Sequence, residues 1–293
     1  MTRPLSPGMG GGMRRVLIAG LRALPPGLPG KHRLARRLLG RLVEVTDARV
    51  QDRWGSTYTA PDLTEPIAFS LLIDGVYEPA TLAFIRGRLG RGGVFVDVGA
   101  NIGVFSLPAA RQVGPEGRVL GVEASSIVFG YLDRNVRANG ARNVRLHQCA
   151  VTDGRVSPVA FYDAPRSKFG MGSMTDRFGG PPTAVQARRL DDLVAEEAIH
   201  RVDVLKVDVE GFEAAVFRGA TRLLTGPVPP VVVFEFCDWA ERSAPGEKVG
   251  AAQRLLLAWG YHLWRIPDRP GPAVEPLRDP LQHGFAMLAA TRP

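Results

Sequence analysis

The stretch Val94-Phe95-Val96-Asp97-Val98-Gly99-Ala100-Asn101-Ile102-Gly103 decides how this chain is read. A short apolar run carrying a single acid fits a strand buried on both faces, as in a parallel sheet. The G-x-x-x-G turn from Gly99 to Gly103 then leads into a helical pattern. Glycines in such a turn let the backbone approach a ligand where a Cβ would collide. Two ligands compete for it. A dinucleotide asks for G-x-G-x-x-G, with helix N–H groups open to a pyrophosphate. This turn lacks that spacing and sets Asp97 just before it. A carboxylate there suits S-adenosylmethionine, which carries an ammonium and a sulfonium and no phosphate. Asp97, Gly99, Ala100, Asn101 and Gly103 are the first candidate cofactor contacts.

Beyond the motif, short apolar runs alternate with helical patterns. Strands are expected at 118–123, 144–149, 203–208 and 231–236, with late strands at 261–266 and 284–290. Helices are expected near 102–113, 127–139, 190–198, 212–224 and 247–259. This alternation predicts an α/β fold, a parallel sheet with helices on both faces. Residues 156–189 break it as an insertion: strand-like VSPVAFYD and TAVQARRL flank the loop SKFGMGSMTDRFGGPP. Upstream, a helix runs from about Pro79 to Leu89 and ends at Gly90, and residues 45–75 read as short strands and turns. No internal repeat is visible. The expected division is a basic extension, 1–44, and a catalytic domain, 45–293, with a cofactor half near 75–155.

With 293 residues, 45% hydrophobic and 23% charged, the chain has the composition of a globular protein and not of a disordered one. No apolar run reaches the roughly 18–20 residues that span a bilayer. The net charge of +8 is local: residues 1–45 hold nine of the 37 basic groups and one of the 29 acidic groups, leaving 28 of each in the other 248 residues. A nucleic-acid enzyme spreads positive surface around its cleft, so this neutral body argues against a nucleic-acid partner. Residues 1–30, rich in Gly, Pro and Arg, read as a mobile tail. The segment Met13–Leu21 resembles the start of a signal peptide, but Arg22 cuts its apolar stretch short and no clean cleavage site follows. A cytoplasmic protein is expected. In residues 31–43 Leu34, Leu38 and Leu42 recur every four positions among arginines, which predicts an amphipathic helix packing through its leucines or, second, binding a membrane surface or partner. Cys149 and Cys237 are far apart and form no disulfide framework.

The remaining candidates are acids at strand ends, where ligands of open α/β sheets bind. Glu123, 20 residues after Gly103, can accept hydrogen bonds from both ribose hydroxyls of an adenosyl group, with Ala124 beside it. Asp153, after the next strand, is placed to bond an adenine amino group or to form a turn. In Val204-Leu205-Lys206-Val207-Asp208-Val209-Glu210-Gly211, Asp208 and Glu210 reach the mouth of the cleft or else cap the next helix. Lys206, on an inner strand, needs a partner if buried, and these acids are candidates. Glu235, in VVVFEF, faces the same cleft. The five histidines show no metal-ligand spacing, although His262 or His283 could reach the cleft. Three acids could hold a divalent cation, but their spacing is not diagnostic, and no metal ligand is assigned.

Taken in order, VFVDVGANIGVFSL, GVEAS, RNVRANG, RLDDL, LKVDVEGFEAAVFRGA and VVVFEF resemble the FkbM family of S-adenosylmethionine-dependent methyltransferases, over roughly residues 75–236. The chain departs at Ala124, where the family usually has Pro after the acid. The resemblance implies the class I methyltransferase fold, Rossmann-like, with a seven-stranded, mostly parallel sheet whose last strand is antiparallel. It also implies O-methylation of a natural product, a sugar or a glycolipid. On this reading Asp208, Glu210 and Glu235 carry the proton chemistry, and loop 167–180 forms a lid over a small-molecule acceptor. N-methylation of an amino sugar, an NAD-dependent oxidoreductase and a non-catalytic binding module are the alternatives, and a homo-oligomer stays open.

Overall fold

The computed structural model describes residues 10–39, 46–63, 65–271 and 273–293. Helices α1 (Gly10–Ala23) and α2 (Lys31–Leu39) come first, then a hairpin of β1 (Thr46–Gln51) and β2 (Thr57–Asp62), then α3 (Pro66–Asp74) and α4 (Pro79–Arg86). The alternating part follows as β3 (Val94–Val98), α5 (Ser106–Val113), β4 (Arg118–Glu123), α6 (Ser126–Ala138) and β5 (Val144–Gln148). After β6 (Ala150–Val151), the inserted segment holds β7 (Val159–Phe161), β8 (Thr183–Val185) and β9 (Ala187–Arg188). The chain continues through α7 (Leu190–Glu196), β10 (Val204–Val207), α8 (Glu213–Gly219), α9 (Thr221–Thr225) and β11 (Val231–Cys237). It closes with α10 (Asp238–Ser243), α11 (Ala251–Ala258), β12 (His262–Arg265), β13 (Glu275–Leu277) and β14 (Phe285–Thr291).

One sheet of eight strands runs in the order β13-β12-β14-β11-β10-β3-β4-β5. The five strands from β11 to β5 are parallel, and β14 enters antiparallel beside β11. Seven strands are those expected, with the last one antiparallel as the resemblance implied. The eighth, β13, is a three-residue edge strand on β12. Side chains alternate between two cores, because successive residues of a strand point to opposite faces. Phe95, Val204 and Val233 pack with Leu107 of α5, Leu132 of α6 and residues of α3 and α4. Val96, Leu205 and Phe234 pack with Leu193 of α7, Phe217 of α8 and Leu256 of α11. Each fully buried side chain of this size contributes about 1.5–3 kcal/mol. In the insertion, β7 and β8 pair antiparallel, and β9 pairs with β6 just before it, so both strand-like segments form strands.

The N-terminal part differs from its sequence reading in three ways. Residues 10–23, expected in a mobile tail, form α1, and Leu21 is buried beside Phe69 and Ile73 of α3. Helix α2 forms, but it packs through Lys31, Ala35 and Leu39, leaving Leu34 and Leu38 47% and 49% exposed; Leu42 lies outside the described residues. Ala35 is small enough for close approach, and Asp74 draws Lys31 inward through a 2.6 Å ion pair. Helix α3 was read as strand and turn. Its start is set by Glu65, whose carboxylate accepts from Ala68 N at 3.0 Å, and by Pro66 in the first turn. Among the described residues no single helix is long and apolar enough to cross a membrane.

Candidate active site

A cavity of about 450 Å³ opens beyond the carboxyl ends of β3, β4, β10 and β11. Its floor starts at Gly99, whose φ is +77° and where a Cβ would lie 1.8 Å from Asp208 O. Only glycine permits that approach, which brings the turns after β3 and β10 together. The close neighbour at this glycine is therefore backbone, not the ligand expected from the sequence. Gly99 N and Ala100 N donate to Val122 O, fixing the turn against β4. Glu123, buried at the end of β4, accepts from Asn101 N through Oε2 and from Ser125 N through Oε1, both at 3.0 Å. Burial raises its pKa to about 7 against the pull of those amide donors. Gly99, Ala100, Asn101, Glu123 and Ala124 all line the cavity. Cys149, Ala150, Val151, Phe161 and Met174 extend this wall as an apolar surface.

Three expected cofactor contacts do not reach it. Asp97 lies on the face of β3 opposite Val96 and Val98 and is fully buried, accepting from Ser106 Oγ at 2.6 Å and facing Lys206 Nζ at 3.5 Å. The register explains this, since Lys206 of β10 is the direct cross-strand partner of Asp97. Gly103, at φ +94°, packs against Leu132. Asp153 turns to Arg155 at 3.4 Å and Arg218 at 4.0 Å and is not part of the lining.

The opposite wall is made of charge. Asp208, Glu210 and Glu235 come together with carboxylate oxygens within 4.8 Å of one another, and all three line the cavity. Lys206 lies 3.2 Å from Asp208 and donates to Gly99 O at 3.0 Å. Burial pulls the Lys206 pKa down, but Asp208, Asp97 and Glu78 outweigh it and hold the ammonium charged. Glu210, in a left-handed conformation at φ +56°, is gripped by Arg177, whose Nη1 lies 2.7 Å from Oε2. Burial and Asp208 raise Glu210 to about 7, with Arg177 opposing. Glu235 has no hydrogen-bond or ion-pair partner among the described residues, and burial, Asp208 and Glu210 push its pKa well above the usual carboxylate range. Neither Asp208 nor Glu210 caps α8. That helix starts later, at Glu213, with no side-chain cap; the Glu213 carboxylate reaches back to accept from Val209 N and Gly211 N and fixes the turn that carries Glu210.

Loop 167–180 contributes Phe169, Met171 and Met174 to the cavity. It is tied down by the Tyr162–Ser173 bridge and by Arg177, whose guanidinium also sits 4.6 Å from the Trp239 ring centre. Sequence reasoning missed Glu65, Pro66 and Ile67 at the start of α3, and Tyr77, Trp239 and Phe285, all of which line the cavity. Glu65-Pro66 ahead of the apolar run IAFSLLI was a helix-start signal. His262 and His283 are exposed and line no part of it.

Residues 97–263 match the family described as the methyltransferase FkbM domain, more than half of the chain. The chain belongs to this family. Among its curated relatives, Methyltransferase sdnD of Sordaria araneosa is 31% identical over 153 residues, 42% of this chain and 59% of that protein. Methyltransferase 1 of Beauveria bassiana is 30% identical over 193 residues, 59% of this chain and 76% of that protein. The crystal structure of methyltransferase FkbM from Methylobacillus flagellatus KT is 20% identical, with a TM-score of 0.45, covering 76% of this chain and 52% of that one. An FkbM methyltransferase domain implies S-adenosylmethionine and displaces the dinucleotide alternative. The residues fit that cofactor. Both Glu123 oxygens keep a lone pair beyond the amides they accept from, and a smooth apolar wall lies beside them.

Proposed function

We propose that this FkbM methyltransferase O-methylates a hydroxyl of a small-molecule natural product or sugar. The observation that carries the reading is the cluster of Asp208, Glu210 and Glu235 across the cavity from Glu123. S-adenosylmethionine, when bound, supplies an electrophilic methyl group on a sulfonium. Glu123 would hold its ribose, and the turn Gly99–Asn101 its amino-acid end. An acceptor hydroxyl must be held about 3 Å from that methyl, in line with the breaking bond. It must also lose its proton. Glu235 is assigned as the base on its place in the cavity, beside Asp208 and Glu210 and with its carboxylate in no hydrogen bond or ion pair among the described residues. Arg177 positions Glu210, and Lys206 positions Asp208. Phe169, Met171 and Trp239 supply apolar walls that exclude water from the acceptor.

Incubation with the cofactor and a panel of hydroxylated and aminated acceptors, read by mass spectrometry, tests this. Methyl ethers formed by wild type and lost in Glu235→Gln support it. Methylated amines would favour the second reading, an amino-sugar acceptor drawn by the same negative wall. The three acids could also hold a divalent cation, and unchanged turnover after treatment with a chelator would exclude that need. A cytoplasmic setting and the division into residues 1–44 and 45–293 belong to the same proposal; both cysteines are free and buried.

A further inference from the structure

Helix α2 meets the rest of the protein with one face only. Lys31, Ala35 and Leu39 dock it on α3, while Leu34 and Leu38, four residues apart, form a half-exposed stripe. Beside that stripe runs a second one, Arg33 and Arg37, both exposed and in no ion pair among the described residues. Five of the ten large apolar side chains found exposed among the described residues fall on this two-helix cap: Val16, Leu24, Leu28, Leu34 and Leu38. No Asp or Glu occurs in the first 43 residues, although eight Arg and one Lys do. The acid that touches α2, Asp74, is buried and paired with Lys31 and His32, so the outer face of exposed leucines beside arginines matches a surface that is anionic outside and apolar beneath.

We propose that the α1–α2 cap docks the protein reversibly on an anionic lipid bilayer, with Leu34 and Leu38 entering the acyl boundary and Arg33 and Arg37 meeting lipid phosphates. A nucleic acid would engage the arginines but leave the leucines in water, so the lipid surface is the better match. Two leucines and a few arginines give weak, reversible attachment rather than insertion. The docked cap has a route to the cavity. Helix α3 holds the cap through Phe69 and Ile73, and its first turn, with Glu65, Pro66 and Ile67, lines the cavity. Docking would therefore set the active site near acceptors held at a membrane.

Co-sedimentation of the full chain with vesicles tests this without any acceptor, so its outcome is independent of the proposed reaction. Binding is expected to vesicles containing phosphatidylglycerol, not to pure phosphatidylcholine, and to weaken with salt. Leu34→Ser with Leu38→Ser, and separately Arg33→Gln with Arg37→Gln, should each weaken binding about tenfold or more. Both variants should keep wild-type melting temperature and S-adenosylhomocysteine binding. Absence of vesicle binding, or binding that survives both double substitutions, overturns the proposal. So does displacement of the protein from vesicles by duplex DNA or RNA with the leucine variant unaffected. A dimer that the leucine substitutions dissociate, without vesicle binding, would assign the face to a second copy.

Discussion

The two walls of the cavity are built from different material. On the Glu123 side the contacts are set by backbone: Gly99 N and Ala100 N bond Val122 O, and Asn101 N and Ser125 N hold Glu123. On the other side they are set by charges: Asp208, Glu210 and Glu235 with Lys206 and Arg177 among them. A backbone wall offers a fixed shape and tolerates little volume change. A charged wall can vary in side chain, and its chemistry depends on how each carboxylate is screened by its neighbours.

The largest effect is expected where the two walls join. Lys206→Met leaves the fully buried Asp97 without its cation, which should cost about 3–5 kcal/mol in urea unfolding. The loss should be smaller at low pH, where Asp97 can bind a proton instead. Adding Asp97→Asn should recover much of it. A loss independent of pH would mean the pair is not what joins the walls.

Gly99→Ala breaks the backbone contact between the turns after β3 and β10. Its Cβ would meet Asp208 O, and its φ of +77° is strained for any other residue, so a loss of about 3 kcal/mol is expected. Wild-type stability in this variant would show that the β3 and β10 turns can separate without penalty.

The cavity carboxylates, Asp208, Glu210 and Glu235, should show their effects in rate rather than in stability. Glu235→Gln should lower kcat about a hundredfold while S-adenosylhomocysteine binding is unchanged. Cofactor binding lost together with rate would place Glu235 on the wrong wall. The smallest effect is expected for Arg177→Ala, about fivefold in rate at pH 7. Arg177 opposes the rise in the Glu210 pKa, so removing it raises that pKa further. The ionised form is then reached only at higher pH, and the rising limb of the pH–rate profile should move up. A fixed profile would exclude Glu210 from the titration that controls rate.

The acids of the charged wall are legible in the sequence, since Asp208, Glu210 and Glu235 all line the cavity, whereas Asp97, Gly103 and Asp153 do not. Strands buried on both faces are apolar at nearly every position, so β3, β4, β10 and β11 stood out, and glycine spacing marked the turn between β3 and α5. The direction of a side chain is harder to read. Asp97 was assigned to the ligand because its partner Lys206 sits on a strand brought alongside only by the fold. Asp153 was assigned by position after β5, but Arg155 and Arg218 turn it away. Helix α3 is buried along Ile67, Ala68, Phe69, Leu71 and Ile73, so it lacks the polar face by which a helix shows its period. In α2 the leucines drew the eye, and tertiary packing chose Ala35 instead.

The central claim is that S-adenosylmethionine sits against the Glu123 wall, and calorimetric titration tests it most directly. Wild type, Glu123→Gln and Glu235→Gln would be titrated with S-adenosylmethionine and S-adenosylhomocysteine, with NAD as control and melting curves to check folding. The account predicts saturable binding to wild type and Glu235→Gln, at least about tenfold weaker binding to Glu123→Gln, and none of NAD. Wild type that binds neither adenosyl ligand, or folded Glu123→Gln that binds them as tightly as wild type, would contradict it.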